Sequence, residues 1–247
     1  MQTIQITTPG IKKALRKYDY KRAIAEYIWN GFDARATWVD IAIQTNEIGS
    51  VTALQIRDNG YGIDHRKLSS KFVPFFESDK ELDPNIQRNT STTHGKNGVG
   101  RLTFFTFANQ ASWHTTYKGK EQNIEGNFMY TIGIDANILN TYSDTPPAPT
   151  SEPTGTVVSF YGIKSITENN FKKDFKHFIS QEFCWFLELN SSKNFYISIN
   201  GVPLNYAAMI GEQETLTYQS KGTSFDIKYI RWNDSLNNEF SRFYYIG

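Results

Sequence analysis

A single cysteine, Cys184, stands in 247 residues, which excludes an internal disulfide. Its apolar setting, Phe183-Cys-Trp-Phe-Leu187, marks it as core, and such sparing use of cysteine fits a reducing, cytoplasmic compartment. An excess of one charge sign is also missing. Twenty-six basic against 25 acidic side chains leave +1, so no electrostatic case exists for nucleic acid or a membrane surface as the main partner. No apolar run approaches the length of a membrane span, and Met1-Gln-Thr-Ile4 lacks the features of a signal peptide. Internal repeats are absent. What is there is a chain 39% hydrophobic and 15% aromatic, enough to build a packed core.

Along the chain, the alternation at 3–7 predicts a short strand, and Asp19 to Ala36 reads as a helix with Asp19 as N-cap. Val39–Ile43 and Ala53–Ile56 read as strands, and 65–79 as partly helical, broken by Pro74. Residues 80–98 are polar and without period; a short apolar helix is expected from Val99 to Ala108. Strands follow near 111–117 and 124–134, joined by a turn at Lys118-Gly-Lys120. Residues 141–153, TYSDTPPAPTSEP, read as loop, Gly155–Phe160 as strand, and Thr167–Leu189 as a long amphipathic helix. After Asn190 the pattern changes to short strands and Asn-Gly turns. The organisation expected is α+β, with a first domain over 1–189 and a β-rich segment over 190–247 that starts a second one.

Three stretches carry chemistry. In Ser91-Thr-Thr-His-Gly-Lys-Asn-Gly-Val-Gly-Arg-Leu102, three glycines within six residues precede an apolar run. Such a stretch is a surface turn or a loop whose bare amides approach an anion at a helix start. Arg101-Leu102 stand where a P-loop needs Lys and Ser or Thr, and the order G-x-x-G-x-G reverses the dinucleotide fingerprint. In the helix Ile24–Ala34, Glu26, Asn30 and Asp33 fall on one stripe about 60° wide. Ala25, Ile28, Trp29 and Phe32 flank it on one side and Ala23, Tyr27, Gly31 and Ala34 on the other, so both flanks are packable. Carboxylates between two packed faces need a partner or a task, and an interior cleft explains them better than bulk water. Asp58-Asn-Gly-Tyr-Gly62 follows a strand. It reads either as a hairpin turn or as a strand-end carboxylate that accepts a hydrogen bond from a base amino group.

The ordered conjunction E-x-x-x-N-x-x-D-A, D-x-G-x-G, G-x-x-G-x-G and a late Gly-Thr, over about residues 20–165, resembles the GHKL ATPase superfamily. That superfamily holds gyrase, MutL, the HtpG-type chaperones, MORC proteins and histidine kinases. The resemblance implies a Bergerat fold, a two-layer α/β sandwich with helices on one face of a mixed sheet. By position it implies Glu26 as the general base that polarises water and Asn30 as the Mg2+ ligand. Asp33 corresponds to a mainly structural motif residue, and Asp58 to the adenine reader, with Gly60 and Gly62 leaving room for the base. Gly95, Lys96, Gly98, Val99 and Gly100 resemble the phosphate-cradling loop, and Thr156 a threonine that helps bind adenine through water. Lys96 and Arg101 flank the glycines as candidate phosphate partners, and 80–98 becomes a lid over the nucleotide.

No phospho-accepting helix precedes these motifs, which sets the histidine kinases aside and leaves the HtpG/MutL/MORC-like branch. The basic γ-phosphate sensor of a second domain has only Lys221, Lys228 and Arg231 as candidates, and the strand-like end suggests part of a longer protein. The implied function is slow, Mg-ATP-dependent hydrolysis coupled to lid closure and homodimerisation. The alternative is a nucleotide-gated interaction module with incidental turnover.

Overall fold

The computed structural model describes residues 6–74, 99–121, 123–164 and 166–233. Helix α1 (Thr8–Ala14) is capped by the Thr7 hydroxyl, which accepts from the Gly10 amide at 3.3 Å, and has a proline in its first turn. Residues 3–5 of the expected strand lie outside the described residues, and 6–7 belong to no regular element. Helix α2 (Tyr20–Asp33) begins at Asp19, whose carboxylate accepts from the Arg22 amide at 2.8 Å. It ends three residues earlier than the pattern suggests, and Arg35 takes a left-handed φ of 61°.

Strands β1 (Trp38–Thr45) and β2 (Val51–Asp58) pair antiparallel; a 3₁₀ turn at His65–Lys67 leads into α3 (Leu68–Phe72). The helix expected over Val99–Ala108 is a 3₁₀ segment, Gly100–Thr106. There the Thr103 and Thr106 hydroxyls bond back to the carbonyls of Gly100 and Thr103, in competition with a regular α ladder. Lys118-Gly-Lys120 is not a turn: it lies inside β3 (Gln110–Glu121), and the chain reverses near Asn123, φ 68°, into β4 (Ile124–Asp135). The supposed loop 141–153 holds two short edge strands, β5 (Ser143–Asp144) and β6 (Ala148–Thr150), the latter with Pro149 at an edge where proline is tolerated.

Strand β7 (Gly155–Tyr161) is followed by one long helical stretch: α4 (Glu168–Asn170), a π turn at Phe171–Phe175, and α5 (Lys176–Leu189). Strands β8 (Tyr196–Ile199) and β9 (Val202–Pro203) return to the first sheet, whose order is β5-β4-β3-β7-β2-β1-β8-β9. The β1–β8 pair is parallel and the others antiparallel, so the sheet is mixed and the fold α+β. The sheet therefore runs past residue 190, and the separate hairpin of β10 (Ile210–Ser220) and β11 (Thr223–Trp232) starts later. Among the described residues no helix is long and apolar enough to cross a membrane.

One row of the buried sheet face is wholly apolar. Ile41, Ile56, Val158, Trp113 and Ile132 oppose one another in register across β1, β2, β7, β3 and β4. Opposed residues of antiparallel strands project to the same face, so these side chains form a continuous strip under the helices. Two residues along each strand, the next row reads Val39, Asp58, Thr156, Thr115 and Tyr130. At this row the apolar face turns polar.

Candidate active site

The polar stripe of α2 runs between two packed flanks. Trp29 lies 4.4 Å from the Phe183 ring of α5, and its indole N–H donates to Glu182 at 3.2 Å. On the other flank Tyr27 meets Phe160 of β7 edge-on at 4.9 Å. Between them Glu26 and Asp33 are half-buried, whereas Asn30 is exposed. The stripe thus faces a cleft that opens to solvent at Asn30, a more open setting than the packable flanks imply.

Asp58 ends β2 beneath this helix. A Cβ on Gly31 would stand 2.9 Å from Val39 and 3.1 Å from the Asp58 Cβ, so glycine in α2 lets the helix settle directly on the strand that carries the carboxylate. The loop that follows is no hairpin turn. The Asn59 amide oxygen accepts from the amides of Thr37 (2.9 Å) and Trp38 (3.1 Å), and the Tyr61 amide donates to the Ala34 carbonyl at 2.9 Å. Both expected site glycines are required by close protein contacts: a Cβ on Gly60 would meet the Ala34 carbonyl at 2.6 Å, and one on Gly62 (φ 72°) the Thr116 carbonyl at 2.1 Å. Burial pushes the Asp58 carboxyl up to about 6, against the Gly60 amide, which donates to it at 2.8 Å, and the Thr156 amide. A carboxylate in this state is a strong acceptor with a position fixed by backbone.

Thr156 lies beside Asp58 on β7 and is buried, and its hydroxyl is 3.1 Å from that of Thr115 on β3. Gly155 has a role that the Gly-Thr pattern only half reveals: a Cβ there would stand 2.4 Å from the Asp58 carbonyl oxygen. Thr115 has no signal in the sequence at all.

At the other end of the cleft, Gly100 is pressed against the helix, and a Cβ there would lie 2.7 Å from Glu26 Oε2. Val99 beside it is buried. Gly95, Lys96 and Gly98, and the lid expected over 80–98, lie outside the described residues. Arg101 is engaged with main-chain carbonyls. Its guanidinium donates to the carbonyls of Phe72 (3.0 Å) and Pro74 (2.5 Å), its own carbonyl accepts from the Tyr27 hydroxyl at 2.8 Å, and burial lowers it to about 10. Tyr18, outside α2 and so invisible to helical spacing, stands near the Glu26 carboxylate; burial first, then that carboxylate, pushes its phenol up to about 12.

A groove of about 580 Å3 lies elsewhere, between Ile11, Phe72, Leu102 and Leu139, with Arg101, Asn140 and Thr141 also on its wall. Residues 18–152, more than half of the chain, match the family described as histidine kinase-, DNA gyrase B- and HSP90-like ATPase. The match takes in Glu26, Asn30, Asp58 and Gly100, with Thr156 just beyond it. No curated protein matches the chain. With the mixed sheet, the helix that spans the cleft and this match, the chain belongs to the GHKL-type ATPases, a family of ATP-binding domains.

Proposed function

We propose that this domain binds Mg-ATP in the cleft under α2 and hydrolyses it slowly, using the nucleotide to drive lid closure and homodimerisation of a larger cytoplasmic protein. On this reading it falls with the HtpG/MutL/MORC-like members of the family. The observation that carries the reading is that one helix serves both ends of the cleft: Gly31 seats it on Asp58 while Glu26, earlier on the same helix, meets Gly100. An adenine amino group donates to Asp58 and the phosphates lie toward Val99 and Gly100, with Gly95, Lys96 and Gly98 of the sequence motif as further phosphate-binding residues.

Glu26 takes the proton of the attacking water, and its half-buried setting against Gly100 holds the carboxylate toward the phosphate end. Tyr18 donates to that carboxylate and orients it. The exposed Asn30 amide fits a hard cation that takes its remaining ligands from phosphates and water, so Asn30 would hold Mg2+. The ion supplies charge neutralisation on the phosphates; phosphoryl transfer otherwise asks the protein for positioning.

A second reading, a nucleotide-gated interaction module, is favoured by one observation. Leu216, Tyr218, Phe225, Ile227 and Tyr229 share one face of the β10–β11 hairpin and are each about half-exposed. A single-turnover assay of the wild type against Glu26→Ala separates the two. Catalysis by Glu26 requires a loss of turnover of about 100-fold or more with nucleotide affinity kept. Equal rates in both proteins would leave only the module.

A further inference from the structure

Thr115 sits at the back of the proposed base pocket, fully buried, in the row Asp58–Thr156–Thr115–Tyr130. Its hydroxyl oxygen has three neighbours. The Ile63 amide donates to it at 3.0 Å, the Gly155 carbonyl lies at 3.3 Å, and the Thr156 hydroxyl oxygen at 3.1 Å. A threonine hydroxyl offers one proton and two lone pairs. The Ile63 amide occupies one lone pair. Two protons then need acceptors, that of Thr115 and that of Thr156, and both hydroxyls are buried.

Only one arrangement of these contacts serves both protons. Thr115 donates to the Gly155 carbonyl and accepts the Thr156 proton on its second lone pair. Reversing the threonine pair would leave the Thr156 proton without an acceptor in this network, which is unfavourable for a buried group. The Thr156 proton therefore points away from Asp58's side of the row, and the Thr156 oxygen presents lone pairs. Asp58, the next residue along, is an acceptor too when ionised. The pocket is lined on this side by acceptors alone.

Resting on the adenine-site reading above, we infer that Thr115 is a positioning residue that fixes the Thr156 hydroxyl as an acceptor, and so makes the pocket prefer a 6-amino purine over a 6-oxo purine. A 6-oxo base brings its own acceptor to a place already full of them. It binds well only if Thr156 turns its proton outward, which Thr115 prevents. Removal of the Thr115 hydroxyl frees that proton, so tolerance for the oxo base rises while affinity for the amino base falls.

The test is calorimetry with ATP and inosine triphosphate on the wild type, Thr115→Val, Thr115→Ser and Asp58→Asn, with thermal unfolding of each. The expected result is an ATP preference in the wild type that narrows by at least about fivefold in Thr115→Val, the worth of one hydrogen bond, and returns in Thr115→Ser. A merely structural role weakens both nucleotides alike and leaves their ratio unchanged, which overturns the inference while sparing the adenine site. Undiminished ATP binding in Asp58→Asn, or no ATP binding by the wild type, overturns the site reading and this inference with it. Should the valine variant not fold, Thr115→Cys, of similar size with only a weak donor, carries the same comparison of ratios.

Discussion

At the base end of the cleft the polar groups rest on backbone, whereas at the phosphate end they rest on side chains. Asp58 is held by the Gly60 and Thr156 amides, and the three glycines around it, Gly60, Gly62 and Gly155, each press on a main-chain carbonyl. Glu26 is neighboured by Tyr18 and by Gly100, whose missing Cβ faces a carboxylate oxygen and not a carbonyl. Backbone contacts resist displacement, while a glutamate tip rotates at little cost. The base end is built to recognise a fixed shape, and the phosphate end to let one carboxylate adjust.

The sharpest way to break this comparison is Asp58→Asn. The amide replaces one acceptor oxygen by a donor in a place where the Gly60 and Thr156 amides already donate. ATP affinity should fall by about 100-fold or more, since a hydrogen bond to a charged group is lost and donors are set against each other. Calorimetry measures it, with circular dichroism as the check that the fold persists. Affinity within threefold of the wild type would remove Asp58 from the base pocket.

A pair of glycine variants tests the contrast directly. In Gly155→Ala the new methyl meets the Asp58 carbonyl at 2.4 Å, so backbone has to move; a loss of about 2 kcal/mol of stability is expected, seen as a lower Tm. In Gly100→Ala the closest atom to the methyl is a Glu26 carboxylate oxygen at 2.7 Å, which turns aside, while the Glu26 Cβ at 3.3 Å needs to give only a few tenths of an ångström. Stability should change by less than about 1 kcal/mol while turnover falls roughly tenfold through a misplaced base. Equal destabilisation in both variants would erase the distinction between the two ends.

Asp58 also gives the base end a pH signature. Its carboxyl is raised from 3.8 to about 6 in the folded chain, so the folded state holds this proton more tightly than the unfolded one. Its stabilising contribution to the ligand-free protein is full below about pH 4 and is lost as pH rises through 6. Binding of the base runs the other way, because only the ionised form accepts fully. Affinity should therefore fall about tenfold from pH 7 to pH 5. Adenosine is the probe of choice, since it lacks titrating phosphates. A flat profile over that range would show that Asp58 is not the acceptor.

The same contrast explains what the amino-acid pattern makes legible. Glu26, Asn30 and Asp33 lie on one helix, where a spacing of four residues is itself a statement about space, and Asp58 is followed at once by its glycines. Within each strand the alternation of apolar residues is readable; which row across the sheet turns polar is not. Thr115 joins Thr156 only through the β3–β7 register, and Tyr18 reaches Glu26 only because the chain bends before α2. Nor did the glycines reveal what they abut: Gly60 and Gly62 face Ala34 and Thr116. The 3₁₀ segment after Gly100 was hidden for a related reason, because Thr103 and Thr106 compete for carbonyls that an apolar helical pattern assigns to the ladder.

The smallest effect is expected at Tyr18. It touches the proposed base and not the nucleotide, through one hydroxyl on a side chain that is itself only half-buried. Tyr18→Phe keeps the ring packed and removes the donor, so the Glu26 carboxylate loses one orienting bond and becomes a slightly stronger proton acceptor. The first change slows turnover and the second partly offsets it. A net reduction of about threefold in kcat is expected, with ATP affinity unchanged, since a lost neutral hydrogen bond is worth about 1 kcal/mol before the offset. An equal loss in Tyr18→Phe and in Tyr18→Phe/Glu26→Gln relative to their respective parents would show that the hydroxyl acts independently of Glu26. A loss confined to the parent that retains Glu26 places Tyr18 in the adjustable support of the phosphate end.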